Sequence, residues 1–313
     1  MVEVQIPEMM EVGAHYGHQT KRWNPKMRPY IFGARSGVHI LDLQQTKQLA
    51  NEALKFIEQT VANGRKVLFV GTKMQAREVI RDNAKKSQMH YVNNRWMGGT
   101  LTNFKTIKKS IDRLIDLETK KENNDFDGYT KKERLDIDRT IVKLEASLGG
   151  IKHLTHTPGV VFVVDPTHEH IAIREAQKLN IPIVALVDSN CDPDPVDLII
   201  PSNDDALGSI AYFTEKVAEA CFAGMELYEQ KAQQLKNQKN DDQKKTPRRR
   251  VSQAEPTDKK AAFVDKAVVN QAAQKEEGVD SFSAKAEKAP QAIKKDAKVE
   301  EQKEETKAEN TDA

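Results

Sequence analysis

Four short apolar runs, rich in β-branched residues, constrain this chain more than any other feature. They occupy residues 66–70 (Lys-Val-Leu-Phe-Val), 160–164 (Val-Val-Phe-Val-Val), 183–187 (Ile-Val-Ala-Leu-Val) and 198–200 (Leu-Ile-Ile). None alternates apolar with polar residues, so none suits a strand with one wet face. Continuous runs of this length fit a parallel sheet covered on both sides. Residues 37–43 and 89–92 read as two further strands. Between the runs lie amphipathic segments. Leu49, Ala53, Ile57 and Val61 line one face of a helix near 44–62, and helices also fit 75–86, 168–179 and 204–228. Strand–helix alternation of this kind predicts a doubly wound α/β body.

Residues 103–148 break the rhythm. Phe104, Ile107, Ile111 and Leu114 step by three and four, and so do Ile137, Ile141, Leu144 and Leu148. Turn-forming residues 123–128 separate the two patterns, and Thr130 with Glu133 fits a capping box opening the second helix. The spacing predicts an antiparallel coiled-coil hairpin inserted into the body. A composition break near residue 230 opens a stretch dominated by Lys, Glu, Gln and Ala. Its only aromatics are Phe263 and Phe282. The division expected is a body over 1–230 and a disordered charged tail over 231–313, since the latter cannot bury enough apolar surface to offset its backbone entropy.

Net charge is +2, and 19 Lys/Arg against 16 Asp/Glu lie beyond 230, which leaves the body nearly neutral. A polyanionic partner must therefore be met by local clusters. Mean hydropathy is −0.67 and no apolar run is long enough to span a bilayer, so no membrane is expected. The opening Met1-Val2-Glu3-Val4 lacks a basic stretch leading into an apolar core, which predicts no export signal. Cys191 and Cys221 fit two reduced thiols better than a disulfide framework.

Three stretches carry chemistry. In residues 13–30, Lys21, Arg22, Lys26 and Arg28 are suited to phosphates, and Tyr16, Trp23 and Tyr30 to stacking on bases; the prolines favour an extended arm. The competing reading is an arm whose aromatics pack into the core. In residues 93–103, Arg95 offers a planar donor to phosphate and Trp96 a stacking face, with Asn103 at the next helix start and Lys105, Lys108 and Lys109 following. Here the competing reading is a tight hinge with Trp96 buried. The third set, Asp165, His168, Asp188, Asp204 and Asp205, sits at strand ends, where open α/β sheets bind ligands. With His15 or His18, these carboxylates suit a structural divalent metal, the favoured set being His18, Asp188, Asp204 and Asp205. Turn and cap roles are the plainer alternative. His168-Glu169-His170 does not point two rings at one ion, because i and i+2 diverge on a helix.

Enzyme signatures are missing. No Gly-x-Gly-x-x-Gly follows an early strand, Val70-Gly71-Thr72-Lys73 lacks the spacing of a phosphate loop, and no Gly-x-Ser-x-Gly elbow occurs. A nucleotide- or metal-dependent α/β enzyme built on the strand-end carboxylates is thus the weaker alternative. No small-molecule substrate is expected.

The arm from 13 to 28 and the run Arg95-Trp96-Met97-Gly98-Gly99-Thr100-Leu101-Thr102-Asn103 resemble family two of the small-subunit ribosomal proteins, in its bacterial form. Leu148-Gly149-Gly150-Ile151, Asp165-Pro166-Thr167-His168-Glu169-His170-Ile171-Ala172 and the stretch from Ile181-Pro182 to Asp192-Pro193-Asp194 resemble it too. The resemblance runs in one register from about residue 5 to 228; Met97 stands where leucine is more usual. It implies a three-layer, Rossmann/flavodoxin-like body with a protruding helical hairpin. It also implies a cytoplasmic, ribosome-bound structural protein. Its partners would be small-subunit ribosomal RNA, neighbouring ribosomal proteins, and the large first protein of the subunit, which captures messenger RNA.

Overall fold

The structure, a computed structural model, describes residues 2–245 except 124 and 126–128, with side chains described as far as Gln234. A five-stranded parallel sheet organises it: β4 (Val67–Val70), β5 (His90–Val92), β6 (Val160–Val164), β7 (Ile183–Val187) and β8 (Leu198–Pro201), in the order β5-β4-β6-β7-β8. Every residue of β4, β6 and β7 is buried, as their unbroken apolar runs require. Alternate side chains divide between two cores. Val67, Phe69, Val160, Phe162 and Val184 face α2 (Leu43–Ala62), α3 (Arg77–Lys86) and α7 (Leu207–Lys245). Leu68, Val70, Val161, Val163, Ala185 and Val187 face α4 (Phe104–Glu122), α5 (Lys131–Leu148) and α6 (His170–Lys178). The result is a sheet between two helical layers. Each wholly buried Val, Leu or Phe contributes about 1.5–3 kcal/mol.

In chain order the strands read 2-1-3-4-5, the flavodoxin-like winding. The winding reverses between β4 and β6. The carboxyl end of β4 leads into Gly71, where a Cβ would stand 2.4 Å from Ile80 Cδ1, so α3 can close on the strand only over glycine. The carboxyl end of β6 leads into Asp165, held at φ +63 while its Oδ1 accepts from the Thr167 and His168 N–H groups.

The N-terminal region holds more structure than the sequence suggests. After a short α1 (Ile6–Glu11), strands β1 (Tyr16–Gln19), β2 (Ile31–Arg35) and β3 (Val38–Leu41) form a separate antiparallel sheet, where a single strand over 37–43 was expected. The arm between β1 and β2 is not extended. It winds into two 3-10 turns, Thr20–Arg22 and Pro25–Tyr30, because proline is tolerated at the first position of a turn and Asn24 Oδ1 caps the second by accepting the Lys26 N–H.

Helices α4 and α5 lie against one another in opposite directions. Lys121, late in α4, pairs with Asp138, early in α5, and Lys152 bridges Glu118 and Glu145. The capping box is present: the Thr130 N–H donates to Glu133 Oε2, and the Glu133 N–H donates to Thr130 Oγ1. Ile107, Ile111, Leu114, Ile141 and Leu148 anchor the pair in the second core. Helix α7 does not stop near 228. It carries on through the composition break to Lys245, since Gln, Lys, Ala and Glu are good helix formers. The rest of the expected tail, 246–313, lies outside the described residues.

Candidate functional site

The carboxyl ends of β4, β6, β7 and β8 converge on one polar cluster. Of the residues expected there, His18, Asp188, Asp204 and Asp205 do come together. His18 Nδ1 lies 2.8 Å from Asp188 Oδ2 and Nε2 lies 3.3 Å from Asp205 Oδ2. The His18 backbone N–H donates to Ser189 Oγ at 2.8 Å, which stitches β1 onto the end of β7. Gly17 makes this approach possible, because a Cβ there would stand 2.8 Å from Ser189 Oγ. Asp165 joins the group, and so does Lys73, whose Nζ lies 2.9 Å from Asp204, 2.5 Å from Asp205 and 3.5 Å from Asp165. Sequence reasoning set Lys73 aside as part of a failed phosphate loop. Its position just after the first parallel strand was the available signal.

Four carboxylates thus surround one ammonium and one imidazole. Burial pushes the Asp204 carboxyl up to about 7, helped by the charges of Asp165 and Asp188 and opposed by Lys73. The hydrogen bond to Asp188 raises His18, against the pull of burial. Burial works against the Lys73 ammonium, yet its bonds to Asp205 and Asp204 more than offset that and raise it. Asp204 is fully buried and its Oδ2 has no hydrogen-bond partner. Two overlapping sets of ligand atoms, His18–Asp188–Asp204 and Asp165–Cys191–Asp204, each lie within 4.8 Å of one another. Neither His15 nor His168 belongs to either set. An oxygen-rich donor set with one imidazole and an unpartnered buried carboxylate oxygen fits a divalent cation. Burial pushes the Cys191 thiol up to about 12, so it is an inert thiol as it stands.

The cationic stretches sit differently. Lys21, Arg22 and Arg28 are exposed and none of them forms an ion pair among the described residues. Trp23 is partly exposed, its ring 5.3 Å from that of His39. Lys26 departs from the expectation: its ammonium is held by Asp192 at 3.0 Å and by Asp194. That pairing clamps the arm onto the loop after β7. Arg95, Asn103, Lys105, Lys108 and Lys109 are exposed at the start of α4.

Trp96 corrects the stacking expectation. It is only 7% exposed and packs in the second core, since its indole N–H finds a buried acceptor in Glu175 at 3.1 Å. That carboxylate also accepts from the backbone N–H groups of Gly99, Leu101 and Thr102 and from the Thr102 hydroxyl. Burial alone would raise Glu175, but these donors outweigh it and hold the carboxyl below its usual range. One side chain of α6 therefore shapes the whole 96–102 loop. Nothing in the spacing of the sequence announced it.

Residues 9–224 match the family described as Ribosomal protein S2. The chain belongs to the ribosomal protein S2 family. Relatives named small ribosomal subunit protein uS2 agree: the one from Maridesulfovibrio salexigens is 57% identical over 224 residues, 72% of this chain and 86% of its own. The one from Desulfatibacillum aliphaticivorans is 53% identical over 227 residues, 72% of this chain and 77% of its own. The S2 match spans both cationic stretches, the strand-end cluster and the hairpin, and ends before the segment beyond residue 230. No helix among the described residues is long and apolar enough to cross a membrane.

Proposed function

We propose that this chain is a structural constituent of the small ribosomal subunit, in the cytoplasm, and not a catalyst. The observation that carries the reading is the S2 match, unbroken from 9 to 224, backed by relatives named as small-subunit proteins at more than half identity. Ribosomal RNA is bound through the exposed Lys21, Arg22 and Arg28 of the arm, with Trp23 beside them, and through Arg95, Asn103, Lys105, Lys108 and Lys109 at the start of α4. The mechanism is neutralisation of phosphates, with release of their counterions. Helices α4 and α5 act as a projecting coiled coil that reaches neighbouring ribosomal proteins. The outer edge of the body helps dock the large messenger-capturing first protein.

Sedimentation tests this. Tagged full-length chain is expected to co-sediment with small subunits at low salt and to be released as salt rises. Migration with the free soluble fraction at every salt concentration overturns the assignment. A chain with the outer half of the hairpin deleted is expected to fold but to be retained poorly; normal retention removes the hairpin from the interface.

The strand-end cluster is proposed to hold a structural divalent ion on His18, Asp188 and Asp204, with Asp205 at its rim. The fit rests on the unpartnered Asp204 oxygen and the surplus of carboxylates. Bound there, the ion would tie β1 to the ends of β7 and β8. Elemental analysis of purified chain is expected to give near-stoichiometric metal that is lost in Asp188→Ala. Metal-free wild type with the same melting temperature in chelator and in zinc removes the ion.

A further inference from the structure

A cavity of about 370 Å³ opens between α6 and the loop after β7, with Asn24 of the arm in its lining. Its floor is apolar, from Pro166 and Ile173. One wall is a single face of α6, with His170, Arg174 and Gln177 spaced by four and three. The other wall carries the amides of Asn24 and Asn190.

The charges at this cleft are unbalanced toward the cationic. Among the described residues, no carboxylate pairs with Arg174 or His170. The one acid of the lining, Asp192, is paired at 3.0 Å with Lys26, an ammonium it shares with Asp194, so its repulsion of an anion is reduced. The amides keep capacity in hand. Asn24 uses its oxygen to cap the arm's second turn, and Asn190 uses its own on the Cys191 thiol, so each leaves its NH₂ group for another acceptor. A neighbouring cavity of about 530 Å³ shares Gln177 and Pro195 but is lined by Asp194 and Asp197, and it suits no phosphate. The bond from Gln177 Nε2 to the Pro195 carbonyl, 3.2 Å, stands between the two.

We propose that this cleft, framed by Asn24, His170, Arg174 and Asn190, receives one unpaired nucleotide of an RNA strand, the base over the apolar floor and its phosphate at Arg174. The proposal rests on the RNA-binding reading above and deepens it. The size matches small-ligand pockets, roughly 300–1,000 Å³, and admits a single splayed-out nucleotide where a double helix would be excluded. The His170 imidazole supplies a face for the base, the Arg174 guanidinium a planar donor for its phosphate, and side-chain amides can read the base edge. Continuity favours an RNA strand over a free metabolite. Asn24 follows Arg22 by two residues and precedes Arg28 by four, so a strand with one base in the cleft has its backbone along exposed cations of the arm.

The test uses the full-length chain and a fluorescein-labelled single-stranded RNA of about ten nucleotides, with its duplex and the four free mononucleotides as comparison ligands. Arg174→Glu is expected to weaken single-strand binding by about tenfold or more and to leave duplex binding near wild type. Lys178→Glu makes the same charge change on an exposed α6 position outside the cleft, and is expected to have a much smaller effect. A strand carrying 4-thiouridine is expected to crosslink to the peptide containing Arg174. Equal effects from Arg174→Glu and Lys178→Glu overturn the cleft while leaving RNA binding standing. So does displacement of the strand by a free mononucleotide at similar concentration, which reassigns the cleft to a small metabolite. If wild-type chain binds no RNA at any salt concentration, the broader reading fails and takes this one with it.

Discussion

Glu175→Ala is expected to destabilise the body by more than about 3 kcal/mol. The carboxylate receives the Trp96 indole N–H, three backbone N–H groups and the Thr102 hydroxyl, all within 3.2 Å. Alanine would leave those donors without a partner in a site that water enters poorly, and an unmade buried hydrogen bond costs more than a made one contributes. Glu175→Gln keeps the shape but aims an NH₂ group at other donors, so it should fall between wild type and alanine. Denaturant midpoints measure the loss. In a Trp23→Phe background the remaining tryptophan, Trp96, reports the loop directly by a red shift of its emission. The pH dependence has a definite sign. A carboxyl held below its usual range stabilises the fold above the ordinary glutamate value of 4.5 and loses that contribution as pH falls through the depressed folded value. Wild type should therefore weaken below about pH 4.5 more steeply than Glu175→Gln does. Superimposable acid profiles of the two would show that the carboxylate's charge contributes nothing there.

Removing the arm's three unpaired cations is the second large effect. Lys21→Ala, Arg22→Ala and Arg28→Ala combined should leave the melting temperature almost unchanged, because all three are exposed and unpaired among the described residues. Affinity for small-subunit RNA should fall roughly a hundredfold near 0.1 M salt, and the slope of log affinity against log salt should shrink by about two to three. Each lost phosphate contact accounts for a little under one unit of that slope. Lys26→Ala forms the contrast. Its ammonium is already committed to Asp192 and Asp194, so it should loosen the arm and change the salt slope little. A triple variant with the wild-type slope would move the RNA interface off the arm.

The two tests separate what holds the loop from what touches a partner, and they bear on how the sequence could be read. The apolar runs at β4, β6 and β7 were unambiguous because burial on both faces leaves no room for a polar residue. A doubly wound α/β body followed from alternating them with amphipathic helices, whereas the strand order 2-1-3-4-5 came only with the structure. Thr130 and Glu133 were legible because a capping box is local, complete within four residues. The gathering of His18, Asp188, Asp204 and Asp205 was legible once strand ends were known to share one side of the sheet.

Where reading failed, the deciding contact was distant in the chain. Trp96 read equally as a stacking face beside Arg95 and as a buried plug, and only Glu175, seventy-nine positions away, decided for the core. Lys26 looked like a phosphate ligand, and only the Asp192–Asp194 loop claimed it. Lys73 was discounted for want of a glycine spacing, yet the switch point between β4 and β6 placed it against three carboxylates, Asp165, Asp204 and Asp205. The sequence by itself determined the parallel sheet, its helical layers and the two helices α4 and α5, because periodicity and capping act over a few residues. Which charges remain open to a partner, and which are consumed internally, was decided only by the tertiary structure. A side chain's availability depends on what folding brings within about 4 Å of it, and at that range Coulomb and hydrogen-bond energies rival any external contact.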